Sequence, residues 1–200
     1  MRFIKALLLA IVFLMVAGAA FVASGVYGIG ADEPHWDVTA RVIELLRDRS
    51  IEAHAQGIAV PDLDDPKLLA EGAEHYAAMC TGCHLAPGVH EDPELRAGLY
   101  PQPPNLARDA IDDPAEAFWV IKHGVKLTAM PAWGKSHTDD KIWSLVAFVK
   151  KLPDLTPEQY QQMTGDTGAP AHHHDHDHAA GEDHADHEHE GETKHDDSTH

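Results

Sequence analysis

The chain has two cysteines, and both fall in one run, Cys80-Thr81-Gly82-Cys83-His84. A C-x-x-C-H run is the attachment pattern for a c-type haem. The spacing puts two thiols on one helical turn, where they can add across the two vinyl groups of a single porphyrin, and it sets His84 beneath the iron as proximal ligand. A disulfide or thioredoxin-like redox pair is the plainer use of two close cysteines. That chemistry sits in a strand–helix setting, and no alternating run of strand length surrounds this pair. A zinc site would need two more soft ligands, and there is no further cysteine. The expected cofactor is one covalently bound haem c per chain, held by Cys80 and Cys83.

Three helices must carry this motif. Pro66 suits the first turn of a helix running through Leu68, Leu69, Ala73 and Tyr76 to Cys80. A second follows Asp112-Asp113-Pro114 through Ala117, Phe118, Val120 and Ile121 and stops at Gly124. A third has Thr138 as its cap, Asp139 and Asp140 at its positive start, Lys150 and Lys151 at its negative end, and Pro153 as terminator. Its apolar stripe is Ile142, Trp143, Val146 and Val149, widened by Leu145 and Phe148. The pattern predicts an all-α domain over 66–155. Upstream, Val38–Gln56 reads as a stalk helix with Val42, Leu45, Leu46 and Arg49 at helical spacing. It either packs on the domain or lies near a membrane, and with the linker Val60–Pro66 it fills 32–65. A short helix over Pro157–Met163 belongs to a 156–170 connection.

Residues from about Pro66 to Leu152 resemble a monohaem class I cytochrome c, and most closely the small domains in the cytochrome c subunits of cbb-type haem–copper oxidases. The resemblance covers under half the chain. It implies a class I cytochrome fold around the haem. Gly72-x-x-x-Tyr76 matches the family's first helix, where a small residue lets the terminal helix cross closely, with Trp143 and Phe148 as contacts. Pro87 is then the residue whose carbonyl accepts from the His84 ring, although Pro87-Gly88 is equally a plain turn. The run Lys126-Leu127-Thr128-Ala129-Met130-Pro131-Ala132-Trp133-Gly134 resembles the distal methionine loop. It makes Met130 the sixth iron ligand, with His123 as the competing residue. Met79 adjoins Cys80 on the attachment side, and His90 is close to the proximal ligand. The loop Tyr100-Pro101-Gln102-Pro103-Pro104-Asn105-Leu106 either walls the haem, through Tyr100 and Pro104 among others, or is simply turn chemistry. Trp133 and Trp119 are expected as haem-pocket packing.

The two ends of the chain bound where it works. Arg2 and Lys5 precede an uncharged segment, Ala6–Ala31, that is long enough as a helix to cross a bilayer. It is read as an uncleaved anchor over 1–31, with the bulk of the chain outside by the positive-inside rule. A cleaved signal, suggested by Ala17-Gly18-Ala19, would instead leave a soluble periplasmic protein. The sequence bears 33 acidic against 15 basic residues and a net charge of −18, which argues against a nucleic-acid binder. Half of that charge, −9, sits in the tail 171–200, with ten of the 17 histidines. With no aromatic or large aliphatic residue, the tail is expected to be disordered. His172, His173, His174, His176 and His178 make it a weak binder of divalent metal, or else it is a solvating acidic appendage.

The function expected from these features is one-electron transfer rather than catalysis. The chain reads as a single-pass protein of the bacterial cytoplasmic membrane with its haem domain in the periplasm. It is either an electron carrier or the cytochrome subunit of a respiratory complex, working with donor and acceptor proteins. The competing classes are a peroxidase-like or ligand-sensing cytochrome with a labile sixth ligand, and a metal-handling protein acting through the tail.

Overall fold

The computed structural model describes residues 1–89 and 93–165, and these contain helices and loops but no strand. His90 and the tail histidines 172, 173, 174, 176 and 178 lie outside the described residues. Helix α1 (Arg2–Ser24) has no charged residue after Lys5 and buries no side chain. Its 23 residues span about 35 Å at 1.5 Å per residue, enough to cross a ~30 Å hydrocarbon core. The helix ends earlier than the uncharged run, because Gly25 takes a left-handed φ of 63° and closes the last turn. Val26–Ile29 is not helical.

The helices of the haem domain begin as their sequence punctuation demands. In α3 (Pro66–Met79) the Asp65 carboxylate accepts from the Lys67 N–H at 2.9 Å, with Pro66 at the first helical position. In α6 (Pro114–His123) Asp113 does the same for Ala115 at 2.7 Å. Asp112-Asp113 is thus a helix start rather than a catalytic pair. Thr138 occupies the cap position of α7 (Asp139–Lys151), but its hydroxyl makes no capping bond. There Asp139 instead joins Lys122 of α6 at 2.7 Å. Of two short helices, α4 (Thr81–His84) carries the motif from Thr81 onward and α5 (Glu94–Ala97) comes after the following turn, and α8 (Pro157–Thr164) opens on a Thr156–Gln159 capping box.

Helix α7 is buried on all sides from Ile142 to Val149 because it lies between α3 and α6. One apolar cluster joins Leu63, Phe118, Ile142, Trp143, Val146 and Ala147, and the other joins Ala73, Tyr76, Leu145, Phe148, Val149 and Leu152. The expected close crossing is present. A Cβ on Gly72 would overlap the carbonyl oxygen of Ser144 and come within 2.8 Å of the Phe148 Cβ. Trp143 looks the other way and stacks on Phe118, ring centroids 4.2 Å apart. Helix α2 (Asp37–Ala55) packs on α6, so it is part of the domain's wall and not a free stalk.

Candidate haem site

The haem motif sits at the corner where α3 gives way to α4. The Cys83 and His84 amides donate to the Cys80 carbonyl at 3.2 and 2.8 Å, which winds both cysteines and the histidine onto one turn. Cys80 and Cys83 are free thiols and not a disulfide. Burial, and secondarily the nearby Cys83, pushes the Cys80 thiol up to about 12. Tyr76, one turn back, donates from its buried hydroxyl to the Leu85 carbonyl at 2.7 Å, tying α3 to the residue after His84.

The second tie on His84 corrects one expectation. Its Nδ1 donates to the carbonyl of Pro104 at 3.0 Å, not to that of Pro87. The backbone turns away directly after His84, with Leu85 at φ 65° and the Pro87-Gly88 turn closed by Val89 N–H on the Ala86 carbonyl at 3.1 Å. The proline loop comes in instead, held by Leu106 N–H on the His84 carbonyl at 3.1 Å. A carbonyl only accepts, so Nδ1 carries the proton and Nε2 keeps the lone pair a metal needs. Burial holds the imidazole toward its neutral form, against the Pro104 hydrogen bond and with the charge of Arg96 adding to the lowering.

Sequence reading missed Arg96. This buried side chain donates from Nε to the Cys83 carbonyl at 3.0 Å and from Nη2 to the Pro103 carbonyl at 2.9 Å. It clamps the proline loop to the haem motif. No local pattern announces it, because a single arginine on a four-residue helix looks like any surface charge.

Met130 is positioned by a stitched loop. Val125 N–H donates to its carbonyl at 3.3 Å, and its own N–H donates to the Thr128 hydroxyl at 3.1 Å. Gly124, at φ 66°, lies beneath this turn, and a Cβ there would meet the Met130 carbonyl oxygen at 2.7 Å. The glycine therefore ends α6 and seats the loop at once.

A cavity of about 680 Å³ brings these parts together, within the ~300–1,000 Å³ of ordinary cofactor sites. Cys80, Cys83, His84, Pro104, Met130 and Trp133 all line it, with Val120 and Ile121 as apolar wall, and Met79 lines it beside Cys80. Two thiols, a neutral imidazole, a thioether and an apolar wall fit a covalently held haem. Two residues expected at the haem, Tyr100 and Trp119, stand elsewhere. Tyr100 is not among the lining residues, because its hydroxyl accepts from the His35 N–H at 3.0 Å and its ring meets the His35 ring. Trp119 is also outside, between the rings of His54 and His123. His123 is exposed and does not line the cavity. Arg47 and Ile51 of α2 do line it, and Arg47 is the one Lys or Arg among the described lining residues. Ile51 and Ala55 follow Arg47 at helical spacing, a second face that the apolar residues at 42, 45 and 46 had masked.

Residues 67–149 match the model of the family described as cytochrome c oxidase, cbb3-type, subunit III. This stretch is a class I c-type cytochrome domain. Its cofactor is covalently bound haem c, and its chemistry is haem-based electron transfer. No curated protein and no solved structure matches the chain. Arg47 and Ile51 lie before the matched stretch, so a helix outside the cytochrome match supplies part of the cytochrome's cavity.

Proposed function

We propose that this chain is a membrane-anchored, periplasm-facing one-electron carrier, or the cytochrome subunit of a respiratory complex, with His84 and Met130 as the axial iron ligands. One observation carries the ligand assignment: Met130 and His84 line the same cavity as both thiols, whereas His123 lies outside it. Bound haem c supplies a one-electron iron couple, and a methionine opposite histidine raises its potential. The chain's residues do the rest. Cys80 and Cys83 hold the group in place, Pro104 fixes the ring of His84 and makes it a stronger donor, and the wall from α6 and α2 keeps water away. With His84 and Met130 both engaged in holding the haem, exchange of an electron would be favoured over binding of oxygen or peroxide.

The anchor reading rests on α1, whose apolar surface is wholly exposed. Arg2 and Lys5 in its first turn and Asp32 and Glu33 after it favour an outward-facing domain. Met130→Ala tests the ligand. The ferric protein should lose its weak red-edge iron–sulfur band, gain affinity for small ligands and show a lower reduction potential. If Met130→Ala leaves the band in place while His123→Ala removes it, the assignment is overturned. High-spin ferric iron in the unmodified protein would favour the ligand-binding class.

A further inference from the structure

Helix α2 has two working faces, and the cytochrome domain uses one. Arg47 and Ile51 turn toward the haem cavity, and Ala55 is buried. On the opposite face Val38, Val42, Leu45 and Leu46 form a stripe at helical spacing that is 66, 60, 60 and 69 % exposed. Four large aliphatic side chains in one stripe are costly to leave in water.

Their position says what covers them. Helix α2 starts against the last turn of α1, where the Phe21 and Trp36 rings lie 5.9 Å apart and Tyr27 meets Trp36 at 4.9 Å. Trp36 is itself exposed and stands at the head of the stripe. The apolar residues keep to the half of α2 next to this junction. Farther along, the same face carries Arg49 and Glu52, an exposed ion pair at 3.1 Å. The stripe therefore continues the uncovered apolar surface of α1 and stops within α2.

We propose that this stripe lies in the headgroup region of the bilayer that α1 enters, making α2 an interfacial helix that seats the cytochrome domain on the membrane surface. Tryptophan at the junction suits that depth. Helix α2 carries Arg41, Arg47 and Arg49 against Asp37, Glu44, Asp48 and Glu52, so apolar contact rather than charge does the seating, and salt should not release it. A seated domain presents its haem cavity in one orientation to the membrane plane. That arrangement suits a redox partner held in the same membrane better than one arriving from any direction. The proposal rests on α1 being retained as an anchor.

The test uses the full-length holoprotein in vesicles of phosphatidylcholine and phosphatidylglycerol. Because Cys80 and Cys83 are consumed by haem, Val42→Cys offers a single free thiol for a polarity-sensitive fluorophore. The expected result is strong quenching by brominated lipid and little by iodide, with Lys150→Cys showing the reverse. In Val42→Cys carrying Leu45→Glu and Leu46→Glu, iodide quenching should rise severalfold while the haem spectrum is unchanged. Iodide quenching of Val42→Cys itself would overturn the proposal, and so would quenching by neither agent, which would mean a second copy or another protein covers the face. Intact mass separates this from the anchor reading. Loss of α1 from the purified protein overturns the anchor and the seating together, whereas α1 retained with iodide quenching overturns the seating alone.

Discussion

Arg96 reaches two carbonyls on either side of the site, Cys83 in the haem motif and Pro103 beside the residue that orients His84. Among the described residues no other donor bonds to either carbonyl, and a buried acceptor left unsatisfied costs about 1–3 kcal/mol. Arg96→Met should therefore lower the stability of the holoprotein by roughly that amount, read from its thermal melt. The proline loop would also be less firmly held, so the Pro104 bond to His84 should weaken; a less strongly donating imidazole stabilises ferric iron less, and the reduction potential should rise. Arg96→Lys should reverse only part of both changes, since an ammonium cannot span the fork. A melt that shifts with no change in potential would assign Arg96 to packing alone.

At the level of helices, the α3–α7 crossing has the least tolerance. Gly72→Ala gains about 1 kcal/mol of helix propensity, but its methyl meets the Ser144 backbone and Phe148 Cβ. Overpacking of this kind costs about 1–3 kcal/mol or more, and a backbone carbonyl cannot step aside as a flexible side chain can. The variant should melt lower and be recovered with less haem, as measured by absorbance per polypeptide. This crossing was expected from the family resemblance, which Gly72 and Tyr76 carry in the first helix. The proline starts of α3 and α6, the charged ends of α7 and Gly124 as the stop of α6 were legible from local residue types, whereas the missing Thr138 capping bond and the seat Gly124 gives the methionine loop were not. The Pro104 carbonyl was not, since it depends on a loop returning after 20 residues, and the resemblance pointed to the nearer Pro87. Tyr100 was misplaced because sequence shows an aromatic next to prolines but not the His35 that draws it away. Arg47 and Ile51 were hidden because α2 is apolar on the wrong side for a simple reading, its exposed stripe being more conspicuous than the face it buries.

For the molecule as a whole, α1 and the tail make separable predictions. High salt and carbonate washing should leave the protein in the membrane, because an apolar helix is not held by charge; a mature N-terminus near Ala20 would show a cleaved signal instead. The tail should take up zinc, copper or nickel weakly and at several sites. Uptake should fall as pH drops through about 6.5, where imidazoles acquire protons and lose the lone pairs that bind metal. Removing residues 171–200 should abolish most of that uptake and leave the haem spectrum and potential unchanged, and a shifted potential would show that the tail acts on the haem. The wall that α2 lends to the cavity has a further consequence, in time rather than space. Chains emerge from their N-terminus, so in the proposed topology Arg47 and Ile51 would cross the membrane ahead of Cys80, Cys83 and His84, with Pro104 and Met130 behind. A chain exported in that order would present the attachment points before the methionine loop that completes the cavity.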